Sequence, residues 1–104
     1  MELCKNPSAI FIDVRTAEEV AQPPKFPRAF LNVPVSVADA SSPLQEAAAR
    51  GELPDDRGAP IVVFCAAGGR AGKAREALLS QGYTNVVNGG SIGDVLAALP
   101  EEES

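Results

Sequence analysis

Two side chains in this sequence have types and spacing suited to covalent chemistry. Cys65 ends an apolar run, Pro60-Ile-Val-Val-Phe-Cys65, and Arg70 ends the short segment Ala66-Ala-Gly-Gly-Arg70 that follows. A thiol reacts as its thiolate, and thiolates are favoured beside cations and at helix N-termini. The next stretch, Ala71-Gly-Lys-Ala-Arg-Glu-Ala-Leu-Leu-Ser-Gln81, predicts a helix whose first amides face back toward the sulfur. Gly68 and Gly69 let the backbone curl so that N–H groups converge, and Ala66 and Ala67 are small enough not to block an approach. Arg70 adds a planar donor fork suited to an oxyanion. Taken singly these features are weak. A cysteine at a strand end is often only a small hydrophobe, and glycines before a helix are often only a turn. Their order, with strand, cysteine, glycine loop, arginine and helix in succession, points to a nucleophile inside an anion cradle.

Other residues able to carry charge or chemistry have plainer readings. Asp13 and Arg15 sit at the end of a second apolar run, Ala9-Ile-Phe-Ile-Asp13. They are expected to form a structural ion pair or a cap tying loops together, the alternative being charges lying just behind the Cys65 loop. Lys73 and Arg75 are expected on a solvated helix face, although Lys73 near the loop could help to draw in anions. Cys4 is expected to be a spare thiol in a mobile terminus, the alternative being a thiol that resolves Cys65 as a disulfide.

The whole-chain properties narrow the function classes. The 104 residues suffice for one domain with a modest core, residues 1–104, with a short N-terminal section and an acidic tail at 100–104 expected to fray. The net charge of −5 argues against nucleic acid or an anionic membrane as partner, so an anionic ligand must be caught by a local positive site. The chain contains no histidine, which removes the usual hydrolase triads and His-based metal sites. No metal and no cofactor are expected. Two cysteines do not make the disulfide framework of a small secreted domain. With neither a signal-peptide pattern nor a membrane-length apolar run, a cytoplasmic location is expected, an organelle remaining compatible.

The elements that would position Cys65 follow from periodicity and punctuation. Ala9–Asp13, Phe30–Val33, Ile61–Phe64 and Asn85–Val87 read as strands, and the unbroken β-branched run at 61–64 suits a strand covered on both faces. Thr16-Ala-Glu-Glu19 has capping-box spacing for a short helix, stopped by Pro23, Pro24 and Pro27. Ser42 followed by Pro43 predicts a second helix, running to Gly51. The third is expected over about 71–81 with Gly82 as terminator. Ser91 caps a fourth, in which Ile92, Val95, Leu96 and Leu99 share a face. Strands alternating with helices imply an α/β fold with a mostly parallel sheet, in which sites form at strand carboxyl ends.

The motifs Phe11-Ile-Asp-Val-Arg-Thr-Ala-Glu-Glu19, Asn32-Val-Pro34, Ile61 to Arg70, Ala74 to Leu79, Gly82-Tyr83 and Asn85-Val-Val-Asn-Gly-Gly90, in this order, resemble a single-domain rhodanese (thiosulfate sulfurtransferase). The resemblance implies a three-layer fold with a central, mostly parallel sheet flanked by helices. It implies that Cys65 takes the outer sulfur of thiosulfate as a persulfide and passes it to cyanide or a thiol, a protein thiol included. It places the substrate in the loop formed by Ala66, Ala67, Gly68, Gly69, Arg70 and Ala71. In related phosphatases and arsenate reductases five residues separate cysteine and arginine, and here there are four. Phosphoryl chemistry therefore stands as the weaker alternative, behind a non-catalytic or regulatory module of the same fold.

Overall fold

The computed structural model describes residues 2–99, so the expected fraying of 100–104 lies outside the described residues. Four strands form one fully parallel sheet: β1 (Ile10–Asp13), β2 (Leu31–Asn32), β3 (Ile61–Cys65) and β4 (Val86–Ser91), in the order β2-β1-β3-β4. The continuous run Ile61-Val-Val-Phe-Cys65 is buried at every position, because β3 is central and covered on both faces. One face carries α2 (Ser41–Ala49) and α3 (Gly69–Ser80); the other carries α4 (Ile92–Ala98) and a 3-10 turn, Glu2–Lys5. This is the expected three-layer α/β architecture. The short α1 (Ala17–Val20) follows β1 at its carboxyl end.

Small residues set the layer spacing. The buried face of α3 is Ala71, Ala74, Ala77 and Leu78, so the helix lies close against the sheet. On the opposite side all four phenylalanines meet. Phe26 packs with its ring centroid 4.9 Å from both Phe11 and Phe64, and Phe30 meets it edge-on at 5.8 Å. These contacts pin the proline-rich segment before β2 against the sheet, each pair adding about 0.5–1.5 kcal/mol beyond area burial.

The caps follow the sequence in two places and depart from it in two. Thr16 and Ser91 both form full capping boxes, with Glu19 and Asp94 as their partners. In α2, however, the helix begins at Ser41, and the amide of Ser42 donates to the Asp39 carboxylate at 3.0 Å. An ionised acceptor one turn earlier has displaced the serine hydroxyl expected to cap. The start of α3 is also earlier than expected, at Gly69. Gly68 takes a left-handed φ of 96°, and its carbonyl already accepts from the Gly72 amide at 2.9 Å.

Cys4 is not in a mobile terminus. It is 1% exposed and packs with Phe11, Phe64, Ile92 and Val95, because the 3-10 turn covers the sheet face that α4 leaves open. Burial pushes its thiol pKa up.

Asp13 and Arg15 form a buried bidentate pair, as the plainer reading expected. Arg15 Nη2 donates to Asp13 Oδ2 at 2.8 Å, Nε to Oδ1 at 3.0 Å, and the Arg15 amide to Oδ1 at 3.0 Å. Removing one member leaves an uncompensated charge behind. Asp13→Ala should therefore cost about 3–5 kcal/mol in urea denaturation. The exposed pair Arg50–Glu52 is the control, and Arg50→Ala should cost no more than about 1 kcal/mol. A Cβ on Gly89 would fall 2.6 Å from Val95 Cγ2 and 3.1 Å from the Val63 carbonyl oxygen. Gly89→Ala should cost about 1–3 kcal/mol in the same measurement through overpacking.

Candidate functional site

Cys65 is the last residue of β3, and its side chain is turned to the α2–α3 face of the sheet. The chain then reverses through Ala66, Ala67 and Gly68 into α3. The reversal brings the Gly68 amide back over the sulfur, and this N–H donates to Cys65 Sγ at 2.9 Å. Such a turn needs positive φ, which Gly68 supplies. Ala66 and Ala67 are exposed at the mouth, whereas Cys65 is 1% exposed, so only a small end atom can reach the sulfur. Ala71 is fully buried with its side chain in the core.

The loop is braced from β4. Between Val63 and Cys65 the register with β4 shifts by one residue, from Asn88 to Ser91, so β4 carries a bulge at Gly89–Gly90. The bulge carries Gly90, with φ of 83°, beneath the loop; a Cβ on Gly68 would sit 3.5 Å from the Gly90 Cα. Asn88 Nδ2 donates to the Gly68 carbonyl at 3.2 Å, and Asn88 Oδ1 accepts from the Gly90 amide at 2.8 Å. Asn88 thus holds loop and bulge together. Sequence reasoning gave it no role; its only signal was its place in the Asn-Gly-Gly segment.

The guanidinium of Arg70 does not stand free. Its Nη1 donates to Glu19 Oε1 at 2.8 Å and its Nη2 to Glu19 Oε2 at 3.0 Å, a bidentate pair joining α3 to α1 across 51 residues of sequence. Glu19 Oε1 also accepts from the Thr16 amide at 2.9 Å. Hydrogen bonds from Arg70, then from the Thr16 backbone, hold the Glu19 carboxyl down from 4.5 to about 2. The Arg70 pKa is raised by its bonds to Glu19 first, with the charges of Glu19, Cys65 and Asp13 acting the same way. Glu19 was read from the sequence only as half of a capping box; nothing in local spacing links it to Arg70.

The remaining sequence candidates fall into place around this centre. Asp13 and Arg15 lie at the end of β1, and Asn32 Nδ2 stitches that turn by donating to both of their carbonyls. Lys73 is exposed on α3 and lines a groove of about 320 Å³ with Val37, Asp39 and Glu76, which contains neither Cys65 nor its loop. Arg75 turns the other way, its Nε donating to the Val86 carbonyl at 2.8 Å and covering the outer edge of β4. Cys4 and Cys65 lie on opposite faces of the sheet, so these two thiols do not meet in the folded chain. Among the described residues no cluster of three or more side chains suits a metal ion, and no helix is long and apolar enough to cross a membrane.

Known proteins resemble this chain in sequence and in fold. A rhodanese domain-containing protein of Drosophila melanogaster is 34% identical over 85 residues, covering 79% of this chain and 76% of that protein. Among solved structures, a rhodanese from E. coli, solved with anions, is 30% identical with a TM-score of 0.63, covering 88% of this chain and 94% of that one. The polysulfide-sulfur transferase homodimer of Wolinella succinogenes is 26% identical with a TM-score of 0.63, over 91% of this chain and 66% of that one. A single-domain sulfurtransferase of Saccharomyces cerevisiae is 25% identical with a TM-score of 0.55, over 93% and 82%. The Rhodanese-like domain family matches residues 1–91, from the 3-10 turn to the cap of α4. A match of that span takes in all four strands, the Cys65 loop and the β4 bulge that braces it, and this chain belongs to the Rhodanese-like domain family.

Proposed function

We propose that this chain is a sulfurtransferase carrying a sulfane sulfur on Cys65 as a persulfide, with residues 1–104 acting as one domain. The observation that carries the reading is the Gly68 N–H donating to Cys65 Sγ at 2.9 Å, at the head of a loop closed by Arg70. The thiolate attacks the outer sulfur of thiosulfate or a related donor. The donor S–S bond breaks, sulfite leaves with the electron pair, and Cys65–S–S⁻ remains. Cyanide or a thiol, including a thiol on a partner protein, then attacks the outer sulfur. With cyanide the product is thiocyanate, and the Cys65 thiolate returns. The loop from Ala66 to Arg70 receives the donor, while Asp13 and Arg15 hold the adjoining turn.

Related structures support this reading. They include a sulfurtransferase, a polysulfide-sulfur transferase and a rhodanese solved with anions. Four residues between Cys65 and Arg70 make a tight ring of donors, which suits one terminal sulfur better than the three oxygens of a phosphoryl group. A non-catalytic, persulfide-sensing module has one observation in its favour, the 1% exposure of Cys65, and turnover separates the two. A cytoplasmic location fits two cysteines kept apart by the sheet.

Thiosulfate should make the intact protein heavier by one sulfur atom, and cyanide should remove it. Cys65→Ser should abolish both, whereas Cys4→Ala should still load. Sulfur found on Cys4 would overturn the assignment.

Arg70→Lys should lower kcat/KM for thiosulfate by about tenfold or more, because a point charge cannot span both Glu19 oxygens or present a planar fork. Unchanged steady-state kinetics would show that Arg70 acts only on the fold.

Glu19 has a folded pKa of about 2, below its ordinary 4.5, so its stabilising effect is full above about pH 4.5 and lost as pH falls through about 2. The stability difference between the protein and Glu19→Gln should be level from pH 5 to 8 and shrink between those two pKa values, as read by denaturation at each pH.

A further inference from the structure

Arg70 is the cation that closes the Cys65 loop, yet both of its terminal nitrogens are bonded to one carboxylate, Glu19, at 2.8 and 3.0 Å. The pair is partly exposed, Arg70 23% and Glu19 37% by side chain, and the Cys65 charge also acts on the Arg70 guanidinium that Glu19 holds. The other loop residues, Ala66, Ala67, Gly68 and Gly69, add no charge. Nearby, Arg15 is matched by Asp13. Two cations are thus balanced by two carboxylates before the thiolate is counted, on a protein whose net charge is −5.

We infer that Glu19 is a specificity-determining residue: by neutralising Arg70 at the mouth of the Cys65 loop, it matches the site to a sulfane sulfur carried on an uncharged organic thiol and sets it against dianionic donors. The inference rests on the reading of Cys65 as the sulfur carrier. With thiosulfate, a 2− donor meets a thiolate and the transition state holds three negative charges, ending as Cys65–S–S⁻ and sulfite. With a neutral persulfide, R–S–SH, the thiolate attacks the terminal sulfur and the R–S bond to that sulfur breaks. The electron pair leaves on R–S, which takes the persulfide proton to become R–SH, and Cys65–S–S⁻ remains. No negative charge crosses the mouth in this exchange, and the transition state holds one in place of three. The two exposed alanine methyls at 66 and 67 suit an organic group better than a hydrated sulfonate.

The test is the rate at which Cys65 gains one sulfur, followed by intact-protein mass, with thiosulfate and with 2-hydroxyethyl persulfide. Glu19→Gln keeps an acceptor for the Thr16 amide, because glutamine serves in a capping box, and it removes the charge together with the bond from Arg70 Nη2, since its amide nitrogen cannot accept. The ratio of thiosulfate loading to persulfide loading should rise about tenfold in Glu19→Gln, equivalent to about 1.4 kcal/mol. An unchanged or lower ratio overturns the role of Glu19 while leaving Cys65 as carrier. Loading by neither donor in the unmodified protein overturns both. A second measurement needs no variant. Raising ionic strength from about 0.01 M to about 1 M shortens the screening length from about 30 Å to about 3 Å. Thiosulfate loading of the unmodified protein should rise relative to persulfide loading, and a fall would show that the mouth attracts the dianion and would overturn the inference.

Discussion

At the carboxyl end of the sheet two stretches of backbone turn on glycines of left-handed φ and lie within van der Waals reach of each other. Gly68 tops the Cys65 loop and Gly90 rounds the β4 bulge, and a Cβ on the first would already touch the Cα of the second. That approach lets a three-residue reversal bring an amide back onto the sulfur it has just passed. It depends on the bulge, which advances β4 by one residue, and on Gly89, whose Cβ would collide with Val95 and Val62. Asn88 then locks the two backbones with one bond to each. The loop geometry is therefore a property of β3 and β4 together, and α4, capped by Ser91 directly after the bulge, holds β4 in place.

Charge at this end of the molecule is arranged as two bidentate pairs. Asp13–Arg15 is buried and shapes the turn leaving β1; Glu19–Arg70 is half-exposed and ties α1 to the first turn of α3. The second pair fastens the four-residue α1, which has no buried residue of its own, to the edge of the site. The same bonds that order the loop also cancel the positive charge that a lone arginine would offer, so structure and electrostatics at the mouth cannot be tuned separately.

The parts legible in the sequence were those set by local rules. The unbroken run 61–64 announced a strand covered on both faces, which the structure extends to Cys65, and Thr16 and Ser91 announced helix starts as caps. The order of cysteine, glycines and arginine pointed to the loop. What escaped was set by contacts between distant segments. The pairing of Glu19 with Arg70 spans 51 residues, and the burial of Cys4 depends on Phe11, Phe64 and α4. The cap of α2 was misjudged for a different reason: an aspartate at 39 and a serine at 42 both suit that position, and the ionised acceptor won. Asn88 could not be assigned because its task exists only once the bulge has formed.

On the proposed function, the loop over Cys65 holds one additional sulfur atom. A crystal structure of the protein after treatment with a sulfane-sulfur donor tests it most directly. Density is expected for one extra atom bonded to Cys65 Sγ, within hydrogen-bond reach of the loop amides, with the Gly68–Gly90 contact and the Asn88 bonds unchanged. An unmodified Cys65, or a sulfur reached only by opening the loop away from Gly90, would contradict it.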